Sequence, residues 1–140
     1  MPVVDASVVV DWVAPGIDPA SPALACLRRL ARRQAELLAP RLLLEEVANA
    51  LLTGIRRQRW SGAAAERSFS VLSRLPVRLV DDRRLLERAW ELARRYDDQP
   101  LYDMPYVAAA ERAGTTLITA DGELRSRLAH LNWIVDPARA

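Results

Sequence analysis

Val3-Val4-Asp5-Ala6-Ser7-Val8 opens the chain, and Leu117-Ile118-Thr119-Ala120-Asp121 follows the same plan near the other end: an apolar run gives way through an acid to a helical pattern. Val3-Val4 predicts a buried strand, Asp5 an acidic turn, and Ala6 to Val13 a short helix stopped by Pro15-Gly16. Thr115 to Thr119 predicts another strand, with a helix after Asp121. Acids at such junctions fall where a parallel α/β sheet holds its ligands, outside the carboxyl ends of its strands.

The chain between these ends alternates in the same way. Pro19 to Arg33 carries Leu24, Leu27, Leu30 and Ala31 at helical spacing, and Arg28, Arg29, Arg32 and Arg33 form a basic face, solvated or in contact with RNA or an acidic partner. Glu36 to Ala39 before Pro40 predicts a strand. Arg41 to Gln58 predicts a long amphipathic helix through Leu43, Val47, Leu51 and Ile55, and Ser61 starts another through Phe69 and Leu72. Pro76 to Val80 predicts a strand, Asp82 caps a helix running through Leu85, Leu86, Ala89, Leu92 and Ala93, and Asp103 opens a helix that stops at Gly114. Asn132 to Val135 closes the series as an edge strand. Strands alternating with helices long enough for crossovers predict an α/β fold, a mostly parallel sheet covered on both faces. With no linker or repeat, residues 1–140 form a single domain.

Composition narrows the class. A hydrophobic share of 51% excludes a disordered chain, and no apolar stretch approaches the roughly 20 residues needed to cross a bilayer. The start, Met1-Pro2-Val3-Val4-Asp5, lacks a secretory signal pattern, so a soluble cytoplasmic protein is expected. Cys26 stands alone, which excludes an intramolecular disulfide and a zinc cluster and predicts a small buried apolar residue. Net charge is +2, and all 20 basic residues are arginine. If several carboxylates are drawn into one site, the remaining surface is basic enough to suit a polyanion.

Any one of Asp5, Asp103 or Asp121 is adequately explained as a helix N-cap. Their convergence at one sheet edge would not be. Glu45 and Glu46 point about 100° apart on their helix. Glu45 has Arg41 four residues before it, whereas Glu46 borders the apolar stripe with no cation on its own helix and needs an outside partner. Asn49, one turn on, is a candidate to orient Glu46, and Ser7 and Thr119 are candidates to hold a ligand carboxylate or bond locally to the backbone. Four gathered carboxylates repel unless a cation compensates, and oxygen-only ligands favour Mg²⁺ or Mn²⁺. The chemistry that uses such an ion at a phosphate is phosphodiester hydrolysis. His130, the only histidine, has no evident triad; Asp97 and Asp98 fall in a polar loop; Trp12, Trp60, Trp90 and Trp133 are expected in the core or an interface.

Taken in order, Val3-Val4-Asp5-Ala6-Ser7-Val8, Glu46-Val47-Ala48-Asn49-Ala50-Leu51, Leu101-Tyr102-Asp103 and Ile118-Thr119-Ala120-Asp121 resemble the motifs of PIN-domain nucleases. They look most like those of the VapC toxins of bacterial VapBC toxin–antitoxin systems. The resemblance implies an α/β/α sandwich and a Mg²⁺- or Mn²⁺-dependent endoribonuclease, usually a homodimer neutralised by a VapB antitoxin. It assigns the catalytic and metal-binding acids to Asp5, Glu46, Asp103 and Asp121, and the polar residue of the first motif to Ser7. Met104-Pro105 departs from the small or aliphatic residues of many relatives, and Asp11 stands where lysine or asparagine is common. Pro105 is compatible with a first helical turn.

Three other classes compete with the nuclease. A binding module would use the acids only as caps. A phosphoacceptor receiver would need a lysine, which does not occur, and a haloacid-dehalogenase-like phosphatase would need Asp-x-Asp where Asp5-Ala6-Ser7 stands.

Overall fold

The computed structural model describes residues 1–140. Its strands are β1 (Val3–Val4), β2 (Leu37–Pro40), β3 (Val77–Val80), β4 (Leu117–Ile118) and β5 (Ile134–Val135), and its helices are α1 (Ala6–Val13), α2 (Pro22–Arg32), α3 (Leu42–Arg56), α4 (Gly62–Leu72), α5 (Arg83–Arg95), α6 (Met104–Ala113) and α7 (Gly122–Arg127). The sheet has the order β3-β2-β1-β4-β5, and every neighbouring pair is parallel. The "mostly parallel" expectation is met in full.

That order follows from the connections. From β1 the chain steps outward to β2 and β3 with α1 to α4 as crossovers, then returns past β1 to β4 through α5 and α6. Right-handed crossovers in opposite directions cover opposite faces of the sheet. Accordingly α1 packs on α2, α3 and α4, while α6 packs on α5 and against β1, β2 and β4. The direction of winding reverses between β1 and β4, which is the switch point of the sheet, the place where open α/β folds hold their ligands.

Strands covered on both faces must be apolar throughout. Val3, Val4, Leu117 and Ile118 are all buried to 1% exposure or less. On the face of α6, the small residues Ala108, Ala109 and Ala110 allow close approach to the sheet, and Tyr106 and Val107 fill the remaining space. Gly114 ends α6 at φ 63°, the left-handed conformation glycine adopts without strain. Cys26 is buried and free.

Several local expectations change. The strand expected over Thr115 to Thr119 is paired only at Leu117–Ile118, and the edge strand only at Ile134–Val135. Of the two places expected for Trp90, core or interface, its 61% exposure on the solvent face of α5 excludes only the core. Arg29 leaves the basic face of α2: its Nε and Nη2 donate to the Ala140 and Pro137 carbonyls at 2.8 and 2.6 Å, tying down the C-terminal turn. No helix is long and apolar enough to cross a membrane.

Candidate active site at the sheet switch point

Asp5 ends β1 and caps α1, its Oδ1 accepting from the Ala6 amide at 2.8 Å. Its Oδ2 accepts from two hydroxyls, Ser7 Oγ at 2.8 Å and Thr119 Oγ1 at 2.7 Å. Those hydroxyls are themselves aligned by β4's continuation, because the amides of Ala120 and Asp121 donate to Ser7 Oγ and Thr119 Oγ1, both at 3.0 Å. With their lone pairs so engaged, both hydroxyl protons turn to Asp5. Ser7 and Thr119 thus bind the two strand ends across the switch point, a role beyond local backbone bonding.

Asp121 caps α7 through Oδ1 to the Leu124 amide at 3.1 Å. Asp103 stands before α6 and, contrary to the simple capping expectation, makes no side-chain cap bond: a 3₁₀ turn over Leu101–Asp103 runs directly into α6, so Asp103 already has helical dihedrals. Its Oδ2 instead accepts from Arg127 Nη2 at 3.0 Å. Glu46 projects from α3, and Tyr106 Oη donates to its Oε1 at 2.5 Å. Asn49 does not orient Glu46. It is exposed and makes no hydrogen bond to that carboxylate, since the buried partner comes from α6 on the other layer. Glu45 pairs with Arg41 at 3.1 Å, as the spacing predicts.

The acids are electrically coupled. Burial pushes the Asp5 carboxyl up, against the pull of the Thr119, Ser7 and Ala6 donors, and the charge of Asp121 adds to the rise. Burial likewise raises Glu46 against its bond from Tyr106, with Asp5 and Asp103 adding to it. Asp103 is raised by burial and by Asp5, while Arg127 opposes. Tyr106 is pushed up strongly by burial and by Glu46, so its proton stays on Oη and faces the carboxylate.

A ready-made four-acid cage is not present. No three of the acidic, histidine or cysteine side chains converge closely enough to hold one ion as they stand. The physical reason is local: Asp5, Glu46, Asp103 and Asp121 each have oxygens engaged by the chain's own donors. The donor set nevertheless suits a hard divalent cation. It is all oxygen, and it is partly desolvated with mutual repulsion uncompensated except by Arg127. Mg²⁺ in particular keeps several waters and needs few direct protein ligands.

Two residues absent from the sequence-based set belong to this site. Tyr106 carried a signal, since a tyrosine in a buried small-residue helix needs a partner for its hydroxyl. Arg127 carried none that separated it from Arg125, which is consumed structurally by the Thr119 carbonyl at 2.6 Å and by Asp136 at 3.1 Å. Arg127 Nε is buried without a partner, an orphaned donor of the kind that costs about 1–3 kcal/mol. Asp11 lies away from the cluster, near Arg59, and Asp98 is exposed and paired with Arg94. His130 packs edge-on against Tyr96, outside the site.

Two solved structures are similar in fold. PAE2754 from Pyrobaculum aerophilum aligns over 99% of this chain and 90% of its own, at 23% identity and a TM-score of 0.74. The Mycobacterium tuberculosis VapC20 toxin, described as cleaving the sarcin-ricin loop, aligns over 90% of this chain and 94% of its own, at 19% identity and a TM-score of 0.63. No curated protein matches. The sequence itself matches the PIN domain over residues 3–129, most of its length, and with the acids at the switch point this establishes that the chain belongs to the PIN domain family, a family of nucleases.

Proposed function

We propose that this PIN domain is a Mg²⁺- or Mn²⁺-dependent endoribonuclease and the toxin of a VapBC-type pair. The observation that carries the reading is the hydroxyl bridge at the switch point, where Ser7 and Thr119 tie Asp5 at the end of β1 to the strand end that carries Asp121, with Glu46 and Asp103 near enough for the acid charges to raise one another's carboxyls. Asp5, Glu46, Asp103 and Asp121 would hold the cation, directly or through water. The ion would activate water for attack on phosphorus and offset charge on the departing oxygen.

The chain's own residues prepare that chemistry. Ser7 and Thr119 fix Asp5 Oδ2, and Tyr106 fixes Glu46 Oε1, leaving Oε2 without a donor from the chain. Arg127 brings positive charge to the rim. The toxin role draws on the fold shared with VapC20.

A VapB-type antitoxin and a second copy are the partners proposed. A groove of about 270 Å³ between α3 and α4, with Leu52 and Phe69 more than half exposed beside it, supports a protein partner. Leu86 and Tyr102, both exposed along one cleft, support the second copy. An RNA target and a protein antitoxin imply a cytoplasmic setting.

Incubation of purified protein with total RNA in Mn²⁺ or EDTA, followed by mapping of new 5′ ends, tests the activity. Cleavage that requires Mn²⁺ and is lost in D5N and D103N supports it; cleavage indifferent to metal overturns it. Cleavage without any effect of expression on growth would favour a PIN nuclease of RNA processing. The alternative of an inactive binding module has an observation behind it, since Asp5 and Asp121 do cap helices. Absence of Mn²⁺ binding by calorimetry would favour it.

A further inference from the structure

We propose that Arg127 is an exchangeable counter-ion: it pairs with Asp103 while the acids hold no metal, and turns to an RNA phosphate once they do. The inference rests on the nuclease reading above and assigns the residue that grips the substrate backbone.

Three observations carry it. Arg127 is the cation that the site itself contains, with Nη2 at 3.0 Å from Asp103 Oδ2 and both side chains a little under one-third exposed. Its remaining contact, Nη1 to Glu123 Oε1, is 3.4 Å long and made to a carboxylate that is 80% exposed, so little holds it. Its Nε has no acceptor at all. A guanidinium is a planar fork of donors matched to two oxygens at once, and here only one arm is well used. Arg125, two residues earlier on α7, has both arms committed and is the contrast.

The arrangement is therefore poised between two acceptors. A divalent cation at the acids competes with Arg127 for Asp103 and repels its charge. Released from Asp103, the fork can meet a phosphate in bidentate fashion, which the present geometry does not allow it to do with Asp103. Metal loading and RNA grip are then coupled through one side chain, with opposite signs for the two ligands.

The test is a comparison of wild type, R127Q and R127K by calorimetry with Mn²⁺ alone, and by fluorescence anisotropy with a labelled mixed-sequence single-stranded RNA in Ca²⁺. R127Q should bind Mn²⁺ about threefold or more tighter, because a competing charge is gone, and bind RNA about tenfold weaker. R127K should keep the wild-type metal affinity and recover only part of the RNA affinity, since it restores charge but not the fork. A purely structural role would lower both affinities together with the thermal midpoint, and that result overturns the proposal. Wild type that binds Mn²⁺ and cleaves RNA while R127Q shows unchanged RNA affinity overturns this proposal alone. Wild type that binds no Mn²⁺ overturns it together with the nuclease reading.

Discussion

Tyr106 and Glu46 are joined by a 2.5 Å hydrogen bond although they lie sixty residues apart and on opposite layers of the sandwich. α6 presents Tyr106 at 1% exposure, and its Oη reaches past the sheet edge to the one acid that has no donor of its own on α3. The bond fixes one oxygen of Glu46 and leaves the other without a donor from the chain.

Y106F removes that hydroxyl and leaves the ring in place, so packing is preserved and the carboxylate is freed. Loss of such an orienting partner typically weakens metal affinity roughly 10–100-fold. Y106F should therefore bind Mn²⁺ at least about tenfold more weakly by calorimetry, with a loss of folding stability of about 1–2 kcal/mol in urea. Unchanged Mn²⁺ affinity would show that Glu46 is oriented by something else.

Asp5 yields a prediction with a definite sign. Its pKa is raised on folding from an ordinary 3.8, so the native state holds its proton to higher pH than the unfolded chain does. Between the unfolded and folded values the native state binds more protons, and stability falls as pH rises through that window, staying lower above it. D5N carries no such charge, but its one carboxamide oxygen cannot serve both the Ala6 amide and the Ser7 and Thr119 hydroxyls, so it is the pH dependence of the difference from wild type that isolates the charge. In EDTA the thermal midpoint of wild type should fall relative to that of D5N as the pH rises from 3.8 toward 7. Added Mn²⁺ should raise the wild-type midpoint and leave D5N nearly unmoved. A difference between the two midpoints that does not change with pH in EDTA would refute the burial penalty.

The parallel α/β sheet could be anticipated because short apolar runs such as Val3-Val4 and Leu117-Ile118 alternate with helical patterns, and the acids after them mark their ends. Asp5 and Asp121 were legible for the same reason. Asp103 was legible as a position but not as a geometry, since nothing local says that a 3₁₀ turn would absorb its capping role. That Tyr106 needs a partner could be read from its small-residue helix, but which acid it meets, and that Arg127 meets Asp103 at all, depend on which helix layer faces which acid, a property of the folded sheet. Asn49 failed because one-turn spacing guarantees proximity on a helix but not a shared exposure, and Asn49 looks outward while Glu46 does not.

Gly54 and Trp60 set the turn that presents α3. Trp60 folds back across α3 with Nε1 donating to the Leu51 carbonyl at 3.0 Å, and a Cβ on Gly54 would sit 2.0 Å from Trp60 Cζ2. G54A must therefore push the indole out. Overpacking of this kind costs about 1–3 kcal/mol. Urea denaturation followed by circular dichroism should show that loss, and G54A/W60A should lose less than the sum of the single changes, because one clash is removed by either route. Full additivity would mean that the ring does not occupy the place of the missing Cβ.

Asp121 and Asp103 separate the two roles an acid can have at a strand-to-helix junction. Asp121 accepts from the Leu124 amide, so D121A should cost about 1 kcal/mol of stability and D121N almost nothing, since asparagine keeps the cap. Asp103 accepts nothing from its helix, so D103N removes charge from the site without loosening α6. If the acids act together on a cation, D121N and D103N should both lose most of the Mn²⁺-dependent cleavage while melting within a degree or two of wild type, and D121A should lose cleavage and stability together. Cleavage by D121N at the wild-type rate would reduce Asp121 to a cap and leave the cation to Asp5, Glu46 and Asp103.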